Sequence, residues 1–230
     1  MKRLAVFSMF LWLGIMGASA QKDNCDVNGD GVVNIADVVY VVDHVLGKHD
    51  PVAVDLGLPS GRKWADRNVG ASKPEEHGGY YAWGEIEEKN LYSQSNYKYY
   101  INNKYQNLGE ISGTQYDVAY VKSGGKWCMP KMSDYQELLY YCVSEWTTVN
   151  NVKGYKLTSK VNGNSIFLPV TGYLSTSSNV LEGYYWSSTE NTTNTSNVSV
   201  NMLFFSNENI RMAKGLSRYL GYAVRPVVNK

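Results

Sequence analysis

Val198-Ser199-Val200-Asn201-Met202-Leu203-Phe204-Phe205 is the stretch on which the fold turns. Val200, Met202 and Phe204 alternate with Asn201 and Leu203, and a period of two puts successive side chains on opposite faces of a pleated chain. The pattern predicts a half-buried strand. Similar short runs of β-branched and aromatic residues, bounded by polar turns, occur at 154–158, 165–169, 184–188, 210–213 and 222–227. Residues 52–57 and 62–69 flank Leu58-Pro59-Ser60-Gly61, a hairpin-like turn, and 80–83 is another short aromatic strand. The Tyr- and Asn-rich stretch 91–111 reads as a long polar loop. One helix is predicted over 133–143: Ser133 suits the N-cap, Gln136 stands at the capping-box position, and Tyr135, Leu138, Leu139 and Cys142 share a face. Two short helices among many short strands predict an α+β fold rather than a parallel sheet.

Before this strand-rich region lie two other segments. Lys2 and Arg3 precede an apolar run from Leu4 to Met16, and Ala18-Ser19-Ala20 offers the small side chains a signal peptidase accepts. Residues 1–20 therefore read as a signal peptide cleaved after Ala20. That places the protein outside the cytoplasm, secreted, periplasmic or on the cell surface, with no transmembrane span after cleavage. Removal of Lys2 and Arg3 takes the formal charge from +1 to −1, a balance that steers the chain toward neither nucleic acid nor anionic membrane. Pro51 disfavours helix at Asp50 and marks a boundary, giving units at 21–50 and 51–230. Cys128 and Cys142 flank the predicted helix; a bridge between them would leave Cys25 odd, and buried free thiols are the alternative.

Asp26-Val27-Asn28-Gly29-Asp30-Gly31-Val32-Val33-Asn34-Ile35-Ala36-Asp37 has the spacing of a twelve-residue calcium loop. A hard cation wants six to eight oxygens. Asp26, Asn28 and Asp30 supply side-chain oxygens at positions one, three and five, and Gly31 permits the sharp turn. Val32 offers its carbonyl at position seven, Asn34 stands at nine, and Asp37 closes the loop at twelve, where most such loops carry Glu. Calcium is the predicted cofactor. Beyond the loop, Ile35, Val38, Val39, Val42, Val45 and Leu46 form one apolar stripe, and Gly47 suits a helix stop. A lone loop and helix cannot bury that stripe by itself, so the 35–46 helix is expected to cover the second unit, pair with another chain or dock a partner.

The loop–helix unit resembles one repeat of a type I dockerin, in which Asp at position twelve is usual; a dockerin packs two repeats together, and one is visible here. The stretch from about Ala53 to Val228 resembles the Fibrobacter succinogenes major paralogous domain. The matching pieces run in order along it: Val54-Asp55-Leu56-Gly57-Leu58-Pro59-Ser60-Gly61, Trp64-Ala65, Asn68-Val69-Gly70-Ala71, Tyr81-Ala82-Trp83-Gly84-Glu85 and Trp127-Cys128-Met129-Pro130. They continue through Asn164-Ser165-Ile166-Phe167-Leu168-Pro169, Gly172-Tyr173, Tyr185-Trp186-Ser187-Ser188-Thr189 and Val224-Arg225-Pro226-Val227. That resemblance implies a C-type-lectin-like domain related to the formylglycine-generating type, with paired terminal strands, two helices and a loop-rich binding face.

The formylglycine-generating relatives depend on cysteines in the C-terminal half, and this chain has none after Cys142. His44, His49 and His77 build no nucleophile–base set, and no zinc motif, P-loop or dinucleotide fingerprint is present. Paired carboxylates such as Glu85 with Glu87 or Glu88 are a grouping that glycoside chemistry can use. The expectation is a binding protein, not an enzyme, recognising a glycan or a protein through loops in an adhesion-like role. The alternatives are an assembly component docked through the calcium segment and, last, a carbohydrate-active enzyme. Adaptable polar side chains and aromatics mark the expected ligand surface: Trp186, Asn191, Asn194, Asn207, Asn209 and Arg211, around an Asn-rich segment at 191–209. No Glu-Pro-Asn or Gln-Pro-Asp motif is present to bridge a sugar through calcium.

Overall fold

The computed structural model describes residues 33, 35, 38, 41, 50–173, 181–191, 199–214 and 217–229. The chain divides into two compact units, residues 1–50 and 51–230. In the first, Ile35, Val38 and Val41 are helical and exposed. The calcium-loop residues Asp26, Asn28, Asp30, Val32, Asn34 and Asp37, and the stripe residues Val39, Val42, Val45 and Leu46, lie outside the described residues.

The second unit is built mainly from strands. The turn at Leu58–Gly61 closes as expected, with the Gly61 N–H donating to the Leu58 carbonyl at 2.8 Å. It joins β1 (Ala53–Asp55) to β2 (Lys63–Ala65) in an antiparallel pair. These strands lie in a four-stranded sheet of order β1-β2-β12-β5, completed by β5 (Trp127–Cys128) and the C-terminal β12 (Val227–Val228). A hairpin of β3 (Tyr100–Ile101) and β4 (Lys104–Tyr105) stands alone. One three-stranded sheet runs β6 (Cys142–Val149), β7 (Val152–Ser159) and β8 (Ser165–Pro169). The other has β10 (Val200–Phe205) between β9 (Gly183–Glu190) and β11 (Ile210–Lys214).

Strand β10 departs from its expected half-exposure. Leu203 is 0% exposed, and Phe205 is as deeply buried. Leu203 and Phe205 enter a core with Trp64, Tyr135, Leu138, Leu157, Tyr185 and Val227. Val200 and Met202 enter a second core with Trp83, Ile111, Trp127, Trp186, Tyr222 and Val224, and Phe204 packs against it. The strand separates two cores, so side chains from both of its faces are buried and the run Met202–Phe205 is uninterruptedly apolar. Its partner β9 alternates likewise, with Tyr185 in the first core and Tyr184 and Trp186 in the second. Gly183 faces Phe205 across the ladder, where any Cβ would overlap the phenyl ring.

The expected α+β, C-type-lectin-like class with an N-terminal loop–helix segment is overturned. The described chain is mostly β, in several small antiparallel sheets, and its second unit has two α-helices, α1 (Val118–Lys122) and α2 (Met132–Tyr141). Two physical causes account for the miscount. Helix α2 stops at Tyr141, because Cys142 is extended (φ −111°, ψ 152°) and opens the eight-residue strand β6, part of which had been assigned to helix. The polar stretch 91–111 holds the β3–β4 hairpin, turned by Asn102 and Asn103 at φ 51° and 60°. The start of α2 also differs from expectation. Lys131 is its N-cap, its N–H donating to the Asp134 carboxylate at 2.8 Å, while Ser133 is exposed inside the first turn.

Cys128 and Cys142 are free and buried. Burial pushes both thiols up, Cys142 to about 11, which leaves them protonated and inert near neutral pH. Among the described residues no helix is long and apolar enough to cross a membrane.

Candidate functional site

The residues expected to form one ligand surface are dispersed. Trp186 is 0% exposed, its indole N–H donates to the Tyr81 carbonyl at 2.7 Å, and its ring lies 4.2 Å from that of Tyr222. It is a core residue. Asn191 is buried, donating to the Ser199 hydroxyl at 3.2 Å. Asn194 lies outside the described residues. Asn207 and Asn209 are exposed in the β10–β11 turn, where the Ser206 N–H donates to the Asn209 carbonyl at 2.9 Å. Arg211 is exposed with its guanidinium 5.2 Å from the Phe204 ring. The six-residue strand β10 separates Asn191 from Asn207, a span of about 20 Å at ~3.4 Å per residue. Of the expected residues that are described, Asn207, Asn209 and Arg211 remain as one exposed group.

Arg225, set apart by its motif, is wholly buried. It donates through Nε to Asn68 Oδ1 at 2.7 Å, through Nη1 to the carbonyls of Ala65 and Asp66, both at 3.2 Å, and through Nη2 to the Phe167 carbonyl at 2.8 Å. Asn68 donates onward to the His77 carbonyl and the Tyr185 hydroxyl. This network pins the C-terminal segment to β2, β8 and β9. Arg225 is a buried hydrogen-bonding residue.

A cleft lies elsewhere, in the 85–116 region. It has a volume of about 230 Å³ and is lined by Glu85, Ile86, Glu87, Lys89, Asn96, Lys98, Tyr99 and Gln115. A second depression, bordered by Tyr116, shares Lys98, Tyr99 and Gln115 with it. Its scaffold is tied together by buried hydrogen bonds. The Trp83 N–H donates to the Arg218 carbonyl at 2.8 Å and its indole to the Ser187 carbonyl at 2.9 Å. Tyr97, buried, donates its hydroxyl to the Trp83 carbonyl at 2.7 Å. Arg218 lies beneath, over the rings of Trp83 and Tyr105, with Nη2 2.5 Å from Glu190.

On that base the lining is ordered by local bonds. Glu85 accepts the Lys98 N–H at 2.7 Å and holds the Lys89 ammonium at 2.5 Å, so both carboxylate oxygens are committed. Lys89 also donates to the Asn96 carbonyl at 2.7 Å. The Asn96 side chain accepts from the Ser93 N–H and donates to the Leu91 carbonyl, closing the short turn. Tyr99 is half-buried, edge-on to Tyr116 with ring centroids 5.4 Å apart and to Tyr97 at 5.7 Å. Burial pushes its phenol above the ordinary range despite the neighbouring Lys98, so at neutral pH it is a hydroxyl donor. The cleft thus offers an aromatic wall, an exposed amide at Gln115 and an ammonium at Lys98.

Glu88 of the expected carboxylate grouping accepts from the Tyr81 hydroxyl at 3.1 Å, and Glu87 lies 3.8 Å from Lys122. A further cleft of about 380 Å³ is lined by Gly70, Glu75, Glu76, His77, Gly78, Val152 and Val170. There Glu75 accepts from Asn150 at 2.8 Å and Glu76 from the Ser72 N–H at 2.7 Å, so its acids serve the loop. Among the described residues no cluster of His, Cys, Asp and Glu could hold a metal.

Sequence reasoning missed Lys98, Tyr99, Gln115 and Tyr116. The available signal was Tyr97-Lys98-Tyr99-Tyr100, polar-tipped aromatics crowded into a stretch assigned to loop. No protein family model, no curated protein and no solved structure matches this chain.

Proposed function

We propose that this is a secreted or cell-surface binding protein that recognises a glycan through the cleft walled by Tyr99 and Tyr116. The single observation that carries the proposal is that cleft. An aromatic face receives the apolar face of a sugar ring, while a phenolic hydroxyl, an exposed amide and an ammonium can bond its hydroxyls. The resemblance to the Fibrobacter succinogenes major paralogous domain and the signal-peptide pattern support a role outside the cytoplasm. Calcium is proposed for the 26–37 loop. Its donors are all oxygens, the set a hard cation prefers, and Asp26, Asn28, Asp30, Val32, Asn34 and Asp37 would hold it. The test is a glycan-array screen of the purified protein in calcium and in chelator. Reproducible binding to one sugar class is the expected result, and absence of binding in both conditions contradicts the proposal.

A second reading, docking into an assembly through the N-terminal helix, is favoured by one observation. Ile35 is 74% exposed, Val38, one turn along on the same helical face, is 55% exposed, and Val41 is exposed as well. Such a stripe is the surface a partner helix or groove would cover.

A further inference from the structure

Resting on the glycan-binding proposal, we infer that the Tyr99 cleft selects acidic sugars, with the Lys98 ammonium pairing with a uronate carboxylate while the pyranose ring lies against Tyr99. Charge at the cleft is unevenly satisfied. Glu85 is neutralised by Lys89 at 2.5 Å and by the Lys98 N–H, so its negative charge is already met inside the wall. Glu87 leans toward Lys122 at 3.8 Å. The Lys98 ammonium is different. Among the described residues no carboxylate pairs with it; it lies beside Tyr99, close enough to the phenol to interact with its hydroxyl, with Nζ 5.5 Å from the ring centroid. Lys98 is exposed, and its backbone is fixed by the bond to Glu85.

A cation with no carboxylate partner beside an aromatic face recognises two things together, an anion and a flat apolar surface next to it. A uronic acid has both, since its carboxylate is carried on the ring that stacks. Gln115, exposed at the same rim, can bond the ring hydroxyls. An acidic peptide brings the anion without the ring, and a neutral sugar brings the ring without the anion. The juxtaposition of Lys98 with Tyr99 and Gln115 therefore favours the acidic saccharide over both.

The experiment compares galacturonate oligomers with their methyl esters, the same backbone stripped of charge, and with poly-glutamate, on wild-type protein, Lys98→Met and Lys98→Arg. The free acid is expected to bind about three- to fivefold tighter than the ester, as one partly exposed ion pair allows. That preference should shrink with added salt, vanish in Lys98→Met and persist in Lys98→Arg. Equal binding of acid and ester, an unchanged preference in Lys98→Met, or binding of poly-glutamate as tight as of the uronate would each overturn the inference. Binding confined to neutral glycans would overturn it while leaving the glycan-binding proposal standing, whereas failure to bind any glycan would remove both.

Discussion

At the scale of single residues, two buried polar groups, Asp117 and Arg225, are each held by several hydrogen bonds. Asp117 caps α1, accepting from the N–H groups of Ala119 at 2.9 Å, Tyr120 at 3.1 Å, Gly113 at 2.8 Å and Met129 at 2.8 Å. Burial holds its carboxyl above the ordinary 3.8, outweighing those four donors. The folded state then binds the proton more tightly than the unfolded chain. Its contribution is greatest below pH 3.8 and falls as pH rises through the raised folded value. Asp117→Asn should lower stability by about 1–3 kcal/mol, by misplacing an amide against backbone donors. In urea unfolding between pH 3 and 6, the wild type should lose stability relative to Asp117→Asn as pH rises; the opposite slope would contradict this account. The role of Asp117 was not legible in the sequence, because two of its partners, Gly113 and Met129, lie outside the helix it caps. Arg225 was more legible, since a lone Arg between Val224 and Pro226 in an apolar run has few places to go but a buried cage of carbonyls.

At the scale of elements, strands announced themselves wherever alternation or a turn bounded them, and disappeared where polar residues occupied the strand. Residues 165–169 were assigned as strand and β8 spans the same residues. Strand β6, Cys142-Val143-Ser144-Glu145-Trp146-Thr147-Thr148-Val149, abuts α2 without a break, and its alternation is diluted by exposed Val143 and partly exposed Trp146. The overlooked signal was in the turns. Asn150-Asn151 joins β6 to β7 at φ 46° and 67°, and Asn102-Asn103 joins β3 to β4 in the same way. Two left-handed residues in a two-residue loop match the twist of a hairpin, and Asn is among the few side chains that tolerate them. Asn151→Val, placing a β-branched residue there, should cost about 1–3 kcal/mol. Asn151→Gly should be neutral or stabilising. Thermal unfolding of the two variants checks the sign, and a stable Asn151→Val protein would rule the turn assignment out.

At the scale of the whole molecule, the second unit is organised around two cores that share one wall, β9 and β10. Much of this was present in the sequence as strands, but not their arrangement. A strand buried on both faces and a strand buried on one differ only at positions such as Leu203, which the alternation had assigned outward. The candidate site was less legible still. Burial removed Trp186 and Asn191, leaving the Asn207–Arg211 turn and the unforeseen Tyr99 cleft as exposed candidate surfaces among the described residues. For the first unit, the assembly reading predicts that Val38→Asp, which puts a charge on the exposed stripe, abolishes any calcium-dependent self-association or partner capture seen by sedimentation. If association survives Val38→Asp unchanged, the stripe is not the docking surface.

The central claim is that the chain binds a glycan at the Tyr99 cleft. It is tested most directly by one glycan array probed with wild-type protein, with Tyr99→Ala and with the doubly substituted Asn207→Ala/Asn209→Ala. The account predicts one sugar class bound by the wild type, a loss of roughly tenfold or more in Tyr99→Ala, where a central aromatic anchor is removed, and retention in the turn variant. Binding kept in Tyr99→Ala and lost in the turn variant would move the site to the β10–β11 turn, and no binding by the wild type would contradict the claim altogether.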